Sequence, residues 1–261
     1  PPPASSTRRS WEASPCSRRR SSGARAIAVE GHIASASPAT ANMQLSNLTV
    51  IKGNFRILNT NNKKLNLIHV PNGANPVVVN VQGNMEISGN SIVSLANTFN
   101  TTTPRAVVLD VDGNFTQGGG SFSLQEFNSP LGTATLSIGG HCTQTAGTFT
   151  ATSTATSAVE NLFVVELNGT SNQNVSISSG TIDNAANQVA LRINNPAGAT
   201  LTAPLAVGRM DFVNGNITTT NTNLLTINNT SSLPFVINGV SDNSYVNGPV
   251  RRRTNEAAHY A

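Results

Sequence analysis

The fold is decided by VNVQGNMEI at 79–87 and by three stretches that repeat its pattern: LDVDGNFTQ at 109–117, LSIGGHCTQ at 136–144 and VELNGTSNQ at 165–173. A shorter form, VIKGNF, stands ahead of them at 50–55. The glycines that align these stretches are Gly53, Gly83, Gly113, Gly140 and Gly169, spaced by 30, 30, 27 and 29 residues. A repeat of about 20–50 residues marks a stacked architecture, because one such unit cannot bury its apolar face alone.

Within each stretch the apolar residues alternate with polar ones. Val79, Leu109, Leu136 and Val165 form one apolar column, and Ile51, Val81, Val111, Ile138 and Leu167 a second. Between them stand Asn80, Asp110, Ser137 and Glu166. Period-2 alternation of this kind points one set inward and the other to solvent. Past the glycine, Phe55, Met85, Phe115 and Cys142 make a third apolar column, with glycine allowing the bend before it. Ile92, Phe122 and Phe149, at spacings of 30 and 27, read as a column on one further strand.

Between glycine and the third column lie Asn54, Asn84, Asn114 and His141. Stacked asparagines separated by about 4.8 Å can hydrogen-bond along the axis of such a coil. Asparagine also tolerates turn geometry for local reasons. We expect these four residues to form a structural ladder. Cys142 takes an apolar place, so a buried thiol is expected rather than a disulfide framework.

The fold class is therefore all-β: a β-solenoid, taken as a right-handed parallel β-helix, of about seven coils. Residues 1–40, rich in Pro, Ser and Arg and holding the one tryptophan, Trp11, read as a disordered basic extension. Residues 41–250 read as the solenoid, with a looser pattern after residue 175. Residues 251–261 read as the basic C-terminal end of a truncated chain, and further domains of the same polypeptide are expected beyond it.

Composition narrows the function. Only 11% of the residues are charged and 5% aromatic. The net charge of +4 suggests a nucleic-acid binder, but nine of the 16 basic residues fall in the two ends. Between residues 26 and 250, seven Lys and Arg face ten Asp and Glu. A phosphate-binding body needs a basic face, so no nucleic-acid partner is expected. No apolar run is long enough for a membrane span. The N-terminus lacks the apolar core of a leader.

Several strings are familiar: VELNGTSNQ, LRINNPAGATLTAPLAVGRMDFVNGNITT and SYVNGPVRR, with strings of the NGNFTQ type. Over roughly residues 75–253 the chain resembles repetitive β-helical regions of large secreted proteins of Bacteroidetes-type bacteria. Such regions are often followed by Ig-like modules and a C-terminal sorting domain for type IX secretion. The resemblance implies an adhesin-like or structural role and an extracellular or cell-surface location. Residues 1–40 match nothing in it.

Parallel β-helices also host polysaccharide lyases and hydrolases. That chemistry requires carboxylates, alone or with a basic residue, clustered on one face of adjacent coils. The best pair is Asp110 and Asp112, which alternation places on one outward face. Asn80 and Gln82 lie one coil below, and Ser137 and Gly139 one above, so nothing charged reinforces the pair. Two carboxylates are too few for a calcium cage. The histidines, His32, His69, His141 and His259, show no recurring spacing with Asp, Ser or Cys. The body holds no tryptophan platform for sugars, and its threonines do not repeat column-wise as an ice-binding face would need.

We therefore expect a non-catalytic structural or adhesin-like segment without cofactors, catalytic residues or metal ligands. Surface glycans or other cell-surface proteins are its expected partners. The alternative is a pectate-lyase-like, polysaccharide-active or polysaccharide-binding β-helix, with Asp110 and Asp112 as the outside candidates for ligand contact.

Overall fold

A computed structural model describes residues 31–34, 43–45, 49–68, 76–96, 105–125, 132–151, 163–182, 189–229 and 236–253. The chain is an all-β, parallel β-solenoid. Among the described residues every pair of strands runs parallel, in three sheets of twelve, eight and three strands. Parallel neighbours need a long crossover, and here each crossover is a turn of the coil that passes through the other faces.

The eight-stranded first sheet stacks Val50–Ile51, Val77–Val81, Arg105–Val111, Gly132–Ile138, Phe163–Leu167, Val189–Asn194, Arg209–Asn214 and Ile237–Asn238. The second sheet stacks Gly31–Ala34, Phe55–Asn59, Met85–Ile87, Phe115–Gln125, Cys142–Thr150, Gln173–Ile177, Ala199–Leu201, Ile217–Thr218 and Val246–Asn247. A third side begins as an arm of that sheet, with Met43–Gln44, Lys64–Ile68 and Ile92–Ala96. Towards the C-terminus it becomes a separate sheet of Leu205–Val207, Leu225–Ile227 and Val250–Arg252. The solenoid has about six full turns rather than seven. Six strands of the first sheet, Val77–Val81 to Arg209–Asn214, have five to seven residues, and those at its two edges have only two.

The apolar columns are the core. Val81, Val111, Ile138, Leu167, Ile193 and Phe212 lie one above another in register. All six are buried. Val79, Leu109, Leu136, Val165, Leu191 and Met210 make the parallel stripe beside them. On the second sheet the stripe is Phe55, Met85, Phe115, Cys142, Val175 and Leu201. β-Branched and aromatic residues take ten of these eighteen positions because they fit a pleated surface, and Leu, Met and Cys fill the rest.

Three details differ from the sequence reading. Gly31–Ala34, within the segment read as an extension, is a strand paired with Phe55–Asn59, while residues 1–30 lie outside the described residues. At the other end Arg251 and Arg252 lie in a strand, paired with Thr226 and Ile227. On the third side Phe122 and Phe149 stack over Val93, while Ile92 pairs with Ser121 and is only half-buried. The corner between Ile87 and Val93 is one residue longer than that between Gln117 and Phe122. One residue of slip moves a side chain to the opposite face.

The rings of Phe115, Phe122 and Phe149 form a closed trio, with centroids 5.4, 6.3 and 5.3 Å apart. It joins the second sheet to the third side at mid-stack. Beside it, on the same turns, two glutamines occupy the inward column between Ile87 and Ile177. Gln144 Nε2 donates to Gln117 Oε1 at 3.1 Å, and Gln117 Nε2 to the Thr148 carbonyl at 2.9 Å. Buried amides persist here because each has a partner.

Candidate functional site

Two polar constructions run along the stack. The first is the corner between the first and second sheets, where the glycines and the expected ladder residues meet. Asn54 Oδ1 accepts the backbone N–H of Asn84 at 2.8 Å, and Asn84 Oδ1 that of Asn114 at 2.8 Å. Asn114 Oδ1 accepts the N–H of His141 at 2.7 Å. His141 Nδ1 accepts the N–H of Asn174 at 3.0 Å, which requires that nitrogen unprotonated. The bonds thus pass from side chain to backbone, each turn capping the next. Amide-to-amide stacking occurs instead between the inward Gln117 and Gln144.

The glycines follow from that arrangement. A Cβ on Gly113 would lie 2.5 Å from Asn84 Oδ1 and 2.8 Å from the Gly83 carbonyl oxygen. On Gly83 it would lie 2.7 Å from Asn54 Oδ1, and on Gly140 it would run into Asn114 Oδ1. Neither Gly83, Gly113 nor Gly140 has a positive φ. They are glycines because the backbone and the side-chain amide of the turn below together occupy the place of a side chain. Gly53 is the exception: its φ is 86° and the space beside it is open. There the left-handed backbone is the reason.

At Gly169 the corner changes. Gly169 still sits at the end of the first-sheet strand, but four residues separate it from Asn174, the next ladder residue. The insertion is filled by Gln173, whose buried side chain accepts the Gly169 N–H at 2.9 Å and donates to the Ile138 carbonyl at 2.8 Å. Asn174 and Gln173 escaped the sequence reading, because aligning on the glycine hides an insertion that follows it.

The second construction is the outer face of the first sheet. Register places Asn80, Asp110, Ser137, Glu166, Arg192, Asp211 and Asn238 in one outward column. Asp110 and Asp112 share this face. Asn80 Nδ2 donates to Asp110 Oδ2 at 3.1 Å and to Asp112 Oδ1 at 2.8 Å. One amide therefore bridges the two carboxylates from the turn below. Ser137 stands over Asp110 and brings no charge.

Higher in the column lies a group the sequence reading missed. Arg192 Nε is 2.6 Å from Asp211 Oδ2, and its Nη1 is 3.9 Å from Glu166 Oε2. Asn194 Nδ2 donates to Glu166 Oε1 at 2.8 Å, and Asn238 Nδ2 to Asp211 Oδ1 at 3.3 Å. The three charged side chains are 24%, 16% and 8% exposed for Arg192, Glu166 and Asp211. One guanidinium thus serves two carboxylates, one on the turn below it and one on the turn above. The sequence does carry a signal: VELN, LRIN and MDFVN share an apolar–charged–apolar core ahead of Asn.

This burial lies between that of an exposed pair, worth about 0–1 kcal/mol, and a buried one, whose breaking costs about 3–5 kcal/mol. Arg192→Met is therefore expected to lower stability by about 1–3 kcal/mol. Urea unfolding reads this as a lower midpoint. An unchanged midpoint would mean that the ion trio contributes nothing.

Cys142 is a free, buried thiol in the apolar stripe between Phe115 and Val175. Loss of solvation pushes its pKa up to about 12. The thiolate is the reactive species, so Cys142 is expected to resist iodoacetamide at pH 8 in the folded chain and to react once guanidinium unfolds it. Peptide mapping checks this, and rapid labelling of the native thiol would contradict the burial.

Among the described residues no three His, Cys, Asp or Glu side chains form a group that could hold a metal ion. No helix there is long and apolar enough to cross a membrane. His69 and His259 lie outside the described residues, and His32 lies in the strand Gly31–Ala34, opposite Arg56. Compared with known proteins, the chain matches no protein-family model, no curated protein and no solved structure.

Proposed function

We propose that this chain is a non-catalytic, adhesin-like structural segment of a secreted bacterial surface protein, binding surface glycans or other cell-surface proteins along its flank. The observation that carries this reading is the engagement of the outer-face polar groups with one another. Asn80 bridges Asp110 and Asp112, and Arg192 serves Glu166 and Asp211. A catalytic acid or base needs a geometry that reaches a substrate proton, whereas these groups are held along the stack axis. The strings shared in style with secreted Bacteroidetes-type proteins supply the cell-surface part of the proposal. The exposed Asn54, Asn84, Asn114 and Asp112 offer hydrogen-bonding edges to a glycan or a protein surface.

A second reading, a polysaccharide-active β-helix, is favoured by one specific observation. Glu166, Arg192 and Asp211 are carboxylates with a basic residue on adjacent turns of one face. Two assays on the full chain separate the readings: a glycan array, and incubation with polygalacturonate and neutral plant polysaccharides. Binding without any rise in reducing or unsaturated ends is the expected result. Turnover that disappears in Asp110→Ala or Asp211→Asn would overturn the proposal in favour of the enzyme.

A further inference from the structure

Four Asn–Gly pairs lie in the described residues: Asn168–Gly169, Asn214–Gly215, Asn238–Gly239 and Asn247–Gly248. In such a pair the glycine nitrogen can attack the asparagine Cγ, since no side chain on the glycine hinders the approach. The new bond closes a succinimide. The Cγ–Nδ2 bond breaks, ammonia leaves with the proton from the glycine nitrogen, and water opens the ring to aspartate or isoaspartate. The net change is loss of ammonia and gain of water, with no redox partner.

The fold divides the four pairs into two classes. Gly169 is buried and its N–H donates to Gln173 Oε1 at 2.9 Å. Gly215 is buried and its N–H donates to Ser244 Oγ at 3.1 Å. In both, the attacking nitrogen is tied to a side chain inside a corner. Gly239 and Gly248 are exposed, as are Asn238 and Asn247, and no comparable bond holds either nitrogen among the described residues. Both pairs lie on the last described turn, whose strands Ile237–Asn238 and Val246–Asn247 have two residues each and a neighbour on one side only. Short exposed edge strands open at little cost, whereas Gly169 opens with the stack and Gly215 only with release of the buried Ser244 from the last turn. Asn238 has one restraint that Asn247 lacks, its Nδ2 bond to Asp211 at 3.3 Å.

We propose that Asn247 and Asn238 are sites of spontaneous, water-consuming deamidation, Asn247 the faster, while Asn168 and Asn214 are protected by the fold. Each conversion places a new negative charge on the turn that carries Arg251, Arg252 and Arg253. An isoaspartate at Asn247 also lengthens the backbone and breaks the register of Val246–Asn247 over Ile217–Thr218.

The test is peptide mapping by mass spectrometry of the full chain held at pH 8 and 37 °C, beside the same chain in guanidinium. In the native arm Asn247 and Asn238 are expected to gain one mass unit at least about tenfold faster than Asn168 and Asn214, the difference being set by local opening. In guanidinium the four should convert at similar rates, and Asn247→Gln should remove the first native signal. Equal native rates at all four positions would overturn the proposal. So would native protection of Asn247 and Asn238 in a sample whose unfolded arm converts them.

Discussion

Truncating Phe122 to alanine should lower the unfolding free energy by about 3–5 kcal/mol, the range for removing a buried aromatic side chain. Phe122 is fully buried and packs against both Phe115 and Phe149, with ring centroids 5.4 and 5.3 Å away. These three rings are where the second sheet turns onto the third side, so no neighbouring side chain can fill the void without moving a corner. The corner itself is held by Gln117, whose amide bonds to the Thr148 carbonyl beside Phe149. Urea unfolding monitored by circular dichroism is the measurement. A stack whose turns lean on their neighbours should show the loss as a shifted midpoint. A loss below about 1 kcal/mol, the scale of an ordinary surface substitution, would mean that the trio is not packed as described.

Gly113→Val should be nearly as damaging, for a different reason. Its Cβ would lie 2.5 Å from Asn84 Oδ1 and 2.8 Å from the Gly83 carbonyl oxygen. Overpacking of this kind costs about 1–3 kcal/mol. Expelling the Asn84 amide also removes its bond to the Asn114 N–H, worth about 0.5–1.5 kcal/mol. The expected total is about 2–4 kcal/mol. Because φ at Gly113 is not positive, the loss is steric and belongs to the turn below. That origin can be checked with a double-mutant cycle. Gly113→Ala combined with Asn84→Ala should lose less than the sum of the two single changes, since deleting the amide removes one of the two clashes. Strict additivity would show that the glycine answers to something other than the asparagine beneath it.

Much of this architecture is legible in the residues, and the limits of that legibility are physical. The first-sheet stripes can be read because alternation has a period of two and each strand ends at a glycine, which fixes its phase. Val81, Val111 and Ile138 therefore align without error. On the third side the phase has to be carried across a corner. Corners differ by one residue, so Ile92 reads as the core position that Val93 holds. Beyond Gly169 the turns shorten: Leu167 to Ile193 is 26 residues and Ile193 to Phe212 is 19. A reading that assumes a constant period loses its register there. Glu166, Arg192 and Asp211 occupy one column, but at these unequal spacings only their shared apolar–charged–apolar setting ahead of Asn marks it.

The ladder illustrates a subtler limit. Coincident Asn54, Asn84 and Asn114 are visible as a column, but which partner each amide takes depends on the spacing between a corner and the turn above. That spacing brings the side-chain oxygen to the next backbone N–H. His141 can continue the column because an imidazole nitrogen accepts a hydrogen bond in the same place.

The account depends on glycine-phased segments being stacked so that Val81, Val111 and Ile138 line one interior. Methyl-labelled nuclear Overhauser spectroscopy tests this most directly. Cross-peaks are predicted from the Val81 methyls to those of Val111, and from Val111 to Ile138, across 30 and 27 residues of sequence. Methyls of Val111 that report only neighbours close in sequence, or side chains of a helix, would contradict the stacked solenoid.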